Sequence, residues 1–297
     1  MKLLAYLLTY PIIWILSILP FKVLYLISDL LYFLLYRVVG YRKKVVRSNL
    51  ELVFPEKSTE EIKQIEKKFY AHLCDLFMEA TKSRAITEAE LNQRYELLNM
   101  EVLNQIELER STFALFSHYA NWEWSVTLNS YIKTNGFGVY QKLANPYFDK
   151  FIRRTRARWN LTLIEQQNAS KFIQANEEQG IRGVYGLISD QSPMVKKARL
   201  WLPFMGITVP VFTGAEGLAK KFDLAVVFAK ASKKKRGHYS LEFIPITNSA
   251  SQTDPEYITR KFVELCEEQI KESPEFYLWT HRRWKHRDKV PEEFKQG

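Results

Sequence analysis

The stretch Thr112–Lys133 reads TFALFSHYANWEWSVTLNSYIK. Thr112 to Ser117 is an apolar run ended by polar residues, the pattern of a short buried strand. His118 follows at once. Asn121 is suited to an N-cap, because its short side chain can accept from the N–H groups left open where a helix starts. Glu123 then falls in the first helical turn, where the macrodipole favours a carboxylate. H-x4-E at a strand-to-helix junction predicts that Glu123 folds back on the imidazole, fixing one ring nitrogen and leaving the other free to take a proton. That arrangement is a general base. With five histidines and 33 acidic residues among 297, one such spacing arises readily by chance, and a capped helix with a structural histidine in its entry loop fits the same letters. The rest of the chain has to supply the context.

Downstream, Gly138 to Leu143 reads as a strand, and Asn145-Pro146 opens a helix carrying Arg153, Arg154, Arg156 and Arg158. Leu161 to Glu165 is a further strand, Ala169 to Glu178 a helix, and Gly183 to Ser189 a strand that ends at Asp190-Gln191. Near-continuous apolar strands alternating with helices indicate an α/β fold, a mainly parallel sheet flanked by helices. Functional groups in such folds gather beyond the carboxyl ends of strands, where His118 and Asp190 both fall. Upstream, Ser58 with Glu61 forms a capping box that opens a helix to Lys82, with His72 on its apolar face as a structural histidine. Leu200 to Phe212, LWLPFMGITVPVF, holds two prolines and a glycine and is no regular helix; it reads as an irregular core segment or a channel lining. Thr213 to Phe222 is helical, Leu224 to Ala231 and Tyr239 to Ile246 form a hairpin, and Asp254 to Lys271 is the last long helix. The basic Ser232–Gly237 loop within that hairpin reads as solvated.

Residues 1–40 are set apart as an apolar helical segment from residues 41–297. Leu3 to Leu19 contains no charged residue and is long enough to be considered as a membrane span, with Pro11 as a kink. A second apolar stretch, Val23 to Tyr36, is interrupted by Asp29, and tyrosines and Trp14 punctuate both. Arg37, Arg42, Lys43, Lys44 and Arg47 follow and would hold the remainder on the cytoplasmic side. No small-x-small cleavage site follows Leu19, which argues against a removed signal peptide; a helical hairpin buried on the domain is the competing reading.

Lys and Arg number 43 against 33 Asp and Glu, a net charge of +10, which calls for an anionic partner. The tail FYLWTHRRWKHRDK suggests nucleic acid, yet no RNP, helix-turn-helix or zinc-finger spacing accompanies it, and lipid phosphate suits the same arginines. Cys74 and Cys266 are two small hydrophobes without metal-ligand spacing, so no metal is expected. The absence of GxSxG, Walker A and GxGxxG patterns sets aside serine hydrolases, P-loop NTPases and dehydrogenases.

Taken together, YRKKVVRSNLELVFPEKS, SHYANWEW, NPYFDKFIRRTRAR, ISDQ with LPFMG, and FYLWTHRRWKHR occur in an order that resembles the lipid A biosynthesis late acyltransferases, which are related to phosphatidylinositol mannoside acyltransferases. The resemblance covers nearly the whole chain. It implies a glycerolipid-acyltransferase-like α/β fold with an N-terminal membrane anchor. The implied activity is a cofactor-independent O-acyl transfer at the cytoplasmic face of a bacterial inner membrane. The donor would be an acyl carrier protein thioester and the acceptor a hydroxyl of a phosphorylated glycolipid, the lipid A precursor. His118 would be the base and Glu123 its orienting carboxylate. Arg156, flanked by Arg154 and Arg158, would bind substrate with Asp190 and Gln191. Trp159-Asn160 stands where the family commonly has a glycine. An aminolipid or pigment acceptor, or a basic membrane-tethered binding protein without catalysis, remains open.

Overall fold

Strands buried on both faces need apolar side chains at successive positions, and the chain supplies them where the alternation demands. In the computed structural model, which describes residues 1–295, all five residues of β2 (Thr112–Phe116) are buried. The other strands are β1 (Tyr95–Leu97), β3 (Asn135–Tyr140), β4 (Thr162–Glu165), β5 (Gly183–Ile188), β6 (Leu200–Phe204), β7 (Ile207–Val211), β8 (Ala225–Lys235) and β9 (His238–Thr247). Ahead of the sheet come α1 (Lys2–Ile18), α2 (Phe21–Tyr32), α3 (Lys43–Val53), α4 (Thr59–Lys82) and α5 (Glu88–Asn92). α6 (Met100–Glu109), α7 (Pro146–Ala157), α8 (Ala169–Glu178), α9 (Gly214–Phe222) and α10 (Tyr257–Glu272) connect or cover the strands.

Seven strands form one sheet in the order β1-β9-β8-β2-β5-β3-β4. Every neighbouring pair is parallel except the β8–β9 hairpin, so the mainly parallel sheet read from the sequence is the observed one. β2 and β5 sit side by side at its centre with Phe116 opposite Ile188. Two further residues on each strand lead to His118 and to Asp190. Register alone therefore brings the two side chains to one place.

Leu200–Phe212 is regular where irregularity was expected. β6 and β7 make an antiparallel hairpin closed by Met205 (φ 53) and Gly206 (φ 77). Two successive positive φ angles define the turn that matches strand twist, and glycine takes the second at no steric cost. The aromatic-basic tail packs on this hairpin. Trp284 stacks on Phe204 at 5.7 Å and on Trp279 at 5.8 Å, and both tryptophans are buried. The tail's tryptophans are core, while Arg282, Lys285 and Arg287 stay exposed. The Ser232–Gly237 segment is also less solvated than its letters suggest: Lys233 pairs with Asp75, and Arg236 bridges Asp29 and Asp75 at 2.6 and 2.7 Å.

α4 begins with the expected capping box: Ser58 Oγ accepts from the Glu61 N–H, and Glu61 returns a bond to the Ser58 N–H at 2.8 Å. Of the basic cluster before it, Arg47 pairs with the buried Glu66 and Arg42 donates to the Thr280 carbonyl. α1 runs through Pro11 and stops at Ile18. At 1.5 Å per residue its length is about 25 Å, short of a bilayer's hydrocarbon core. Among the described residues no single helix is long and apolar enough to cross a membrane; a bent pair, Phe21–Val39 with Lys43–Val53, meets the length and composition test only together. Both N-terminal helices nevertheless turn apolar side chains outward, Leu4, Leu8 and Ile12 on α1 and Leu26 and Leu30 on α2, while Phe21 and Tyr36 join the core.

Candidate active site

The chain leaves β2 at Phe116 and reverses within four residues. Ala120 takes φ 50, a left-handed conformation that costs a Cβ-bearing residue about 1–2 kcal/mol. Its surroundings hold it there: the Ala120 N–H donates to the Phe276 carbonyl at 3.0 Å, and its own carbonyl lies 3.3 Å from His72 Nε2. On the opposite edge of the His72 ring, Nδ1 lies 3.2 Å from the Lys233 ammonium. An ammonium can only donate, so His72 is neutral with the proton on Nε2. Burial, with Lys233 beside it, keeps its pKa well down. His72 is structural, as its sequence context indicates, and supports the turn after His118.

Asn121 then caps the next segment, accepting from the Trp124 N–H at 3.1 Å. The segment Trp122–Ser130 is a 3-10 helix rather than an α-helix. Asn121 is held in turn by Glu79 of α4, whose carboxylate accepts from Asn121 Nδ2 (2.7 Å), Tyr239 (2.8 Å) and Tyr25 (2.9 Å). Full burial raises the Glu79 pKa to about 7, against the lowering effect of Tyr239, Lys233 and Tyr25. Nothing in the letters around Glu79 distinguishes it from the other acids of α4, and the sequence reading missed it.

Asp190, not Glu123, holds the imidazole. Its Oδ1 lies 2.6 Å from His118 Nδ1, and Oδ2 accepts from the His118 N–H at 3.0 Å. One carboxylate thus fixes both the ring and its backbone, leaving Nε2 for the cavity. Burial opposes charge on His118, but the field and hydrogen bond of Asp190, with Glu123 further off, raise its pKa above the ordinary 6.5. Asp190 is buried too, which would raise its pKa. The pairing with His118, the backbone N–H and Arg283 outweigh this and hold it down.

Glu123 turns to Arg156 instead: one guanidinium nitrogen sits 2.9 and 2.8 Å from its two oxygens. Both side chains line the cavity onto which His118 opens, together with Trp122, Tyr140, Gln141 and Phe212. Gln191 lies 3.4 Å from His118 Nε2 and 3.5 Å from Nδ1, too long on either side to choose a tautomer. The three candidate arginines separate. Arg156 reaches the cavity. Arg158 is taken up by the carbonyls of Ser83, Arg84 and Ile86, and Arg154 faces a different groove. Asn160, in the family's glycine neighbourhood, has φ 55, so a residue that tolerates the left-handed region keeps the turn.

A second cavity opens from the Glu123–Arg156 pair across the sheet. Ala114, Gly186 and Gly138 stand in register on three adjacent strands and form its floor, with Phe137, Leu161 and Leu163 as walls. Small residues in a row leave an apolar trough.

Arg283 supports the site from below. It is buried and donates to Ser192 Oγ (2.9 Å) and the Pro210 carbonyl (3.0 Å), and it lies over Phe204. This corrects the reading of the tail arginines as surface contacts in one place: Arg283 anchors the loop just past Asp190, while Arg282 and Arg287 are exposed.

The class so defined is an α/β protein whose central strands deliver a histidine–carboxylate pair to a cavity that shares Trp122, Glu123 and Arg156 with an apolar trough. Residues 2–286 match the family described as bacterial lipid A biosynthesis acyltransferase, and the chain belongs to that family. It is 25% identical over 279 residues to the lipid A biosynthesis lauroyltransferase of Escherichia coli (strain K12), covering 93% of this chain and 90% of that protein. It is 20% identical over 279 residues to the lipid A biosynthesis palmitoleoyltransferase of the same strain, covering 93% and 89%. A lipid A biosynthesis acyltransferase of Haemophilus influenzae is 22% identical over 250 residues, covering 81% of this chain and 76% of that protein. Membership of that family supports acyl transfer in lipid A biosynthesis for this chain.

Proposed function

We propose that the protein transfers a fatty acyl chain from an acyl carrier protein thioester to a hydroxyl of a phosphorylated lipid A precursor, at the cytoplasmic face of the inner membrane. The observation that carries this reading is the His118–Asp190 pair beside a cavity that adjoins the trough at Trp122, Glu123 and Arg156. An alcohol ionises far above neutral pH, so attack on a thioester needs its proton removed as the bond forms. A positioned base is worth about 10²- to 10⁴-fold. Nε2 of His118 takes that proton while Asp190 stabilises the imidazolium. The alkoxide oxygen bonds to the thioester carbon, the tetrahedral intermediate collapses, and the departing thiolate recovers the proton from His118. Arg156, held by Glu123, offers positive charge where the carbonyl oxygen becomes negative. The acyl chain lies in the trough over Ala114, Gly138 and Gly186.

The outward apolar face of α1 and α2 supports a membrane-lying, rather than spanning, anchor, since such helices settle at the bilayer interface. The test is His118→Ala, assayed for thiol release from an acyl carrier protein thioester in the presence of the lipid acceptor. Release should fall at least about 10²-fold with the melting temperature unchanged; retained turnover would remove His118 as the base.

A further inference from the structure

α7 has two working faces. Ile152 and Arg156 look toward the His118 cavity. Lys150, Arg154 and Arg158 line a separate groove of about 480 Å³, closed on its far side by Tyr6 and Tyr10 of α1 and by Arg84 just past α4. Its lining holds four cationic side chains and no carboxylate. Among the described residues Lys150 and Arg154 have no ion-pair partner, and both are exposed. Arg84 donates to Ser17 Oγ at 3.2 Å and lies over the rings of Tyr10 and Trp14. Cations gathered without counter-charge repel one another, and a bound anion relieves this. Guanidinium groups pair with the oxygens of carboxylates and phosphates two at a time, and several cations converging on one groove suit the higher charge of a phosphate.

The groove's walls say which phosphate. Tyr6 stacks on Tyr10 at 5.1 Å and on Tyr147 at 5.7 Å, making an aromatic rim. Behind that rim Leu4 and Leu8 of α1 are exposed. Tyrosine rims settle at headgroup depth and bare leucines below it, so an α1 lying in the bilayer surface brings the groove level with lipid phosphates. A further cavity, lined by Ile13, Ile152 and Arg156, shares Phe151 and Thr155 with the groove and Glu123 and Arg156 with the His118 cavity.

We propose that the Arg84–Lys150–Arg154 groove binds a phosphomonoester on the acceptor lipid and so decides which of its hydroxyls meets His118. This rests on the acceptor being a phosphorylated lipid. The test uses full-length detergent-solubilised protein and a Lys150→Ala/Arg154→Ala double variant; Arg84 is left in place because α1 packs on it. Binding is titrated with a short-chain phosphatidic acid in neutral micelles, with the matching diacylglycerol, with inorganic phosphate and with acyl carrier protein. The expected result is that the wild type prefers the phosphatidic acid to both the diacylglycerol and free phosphate. The double variant should lose at least about tenfold in affinity for it, as expected for removed charge-assisted bonds, while binding of the carrier protein is unchanged. Equal affinity of wild type and variant for phosphatidic acid overturns the proposal. So does free phosphate binding as tightly as the lipid, or a loss confined to the carrier protein, which would make the groove a protein-docking surface. Since binding is read without turnover, a protein that binds the phosphate lipid but transfers nothing counts against the transfer chemistry and not against the groove.

Discussion

Glu123 and Asp190 are both carboxylates within reach of the His118 cavity, one five residues along the chain and the other 72 residues away in the sequence. The nearer one is not the partner. Trp122–Ser130 winds as a 3-10 helix after the Ala120 turn, and Glu123 is carried toward Arg156. The distant carboxylate arrives because β2 and β5 are neighbours in register, so equal extensions of two parallel strands end beside each other. Proximity along a chain places a side chain through local geometry that can rotate by a fraction of a turn. A parallel ladder places it through a repeated spacing that cannot.

The largest effect that would break this contrast is on Asp190. Asp190→Asn should lower kcat by roughly 10²- to 10⁴-fold, since the amide cannot stabilise the imidazolium and its NH2 disfavours the productive tautomer. It should also move the acid limb of the pH profile. In the wild type the base is lost as pH falls through the His118 pKa, which lies above 6.5. Without the carboxylate that pKa drops, so the limb should shift to lower pH; a limb that stays in place would mean another group orients His118. Glu123→Gln and Arg156→Gln should each cost about 10²- to 10³-fold in kcat, with a much smaller movement of the limb. In a double-mutant cycle their effects should overlap rather than add, because each acts through the other; strict additivity would separate them.

Next comes the support beneath Asp190. Arg283→Met leaves the Ser192 and Pro210 acceptors without their donor and removes the buried positive charge near Asp190, so it should lower stability by about 3 kcal/mol, read by urea denaturation. The exposed neighbour substitution Arg282→Glu should leave the transition midpoint where it was. Smallest is Gly186→Ala, on the strand that leads to Asp190. A Cβ there meets Phe116 at 3.6 Å and the Phe137 carbonyl oxygen at 3.7 Å, both ordinary contacts, so the fold accommodates alanine while the trough floor rises. Donor preference should move toward shorter acyl chains, measured by competition between thioesters; an unchanged preference would place the chain elsewhere.

The sheet was legible because its strands are apolar runs separated by helix-length amphipathic segments, and the Asn145 and Ser58 caps because they depend on one or two local bonds. His118 and Asp190 were both visible as strand-end residues, but not as partners, since strand order is absent from a linear pattern. Leu200–Phe212 looked irregular because prolines and glycine were weighed as breakers, whereas Pro203 and Pro210 sit within the two strands of an isolated hairpin whose outer edges need no ladder bonds. The tail misled for another reason: Trp279, Arg283 and Trp284 are amphipathic enough to suit either a surface or a core, and only the hairpin they meet decides.

The register between β2 and β5 has a consequence for how this chain can vary. Side chains alternate across a strand, so deleting one residue between Gly183 and Asp190 would point the carboxylate to the far side of the layer while leaving composition almost untouched. Length in that short interval is therefore a stricter requirement than identity, and an indel scan through it would lose turnover at odd steps before any single substitution of its apolar residues did.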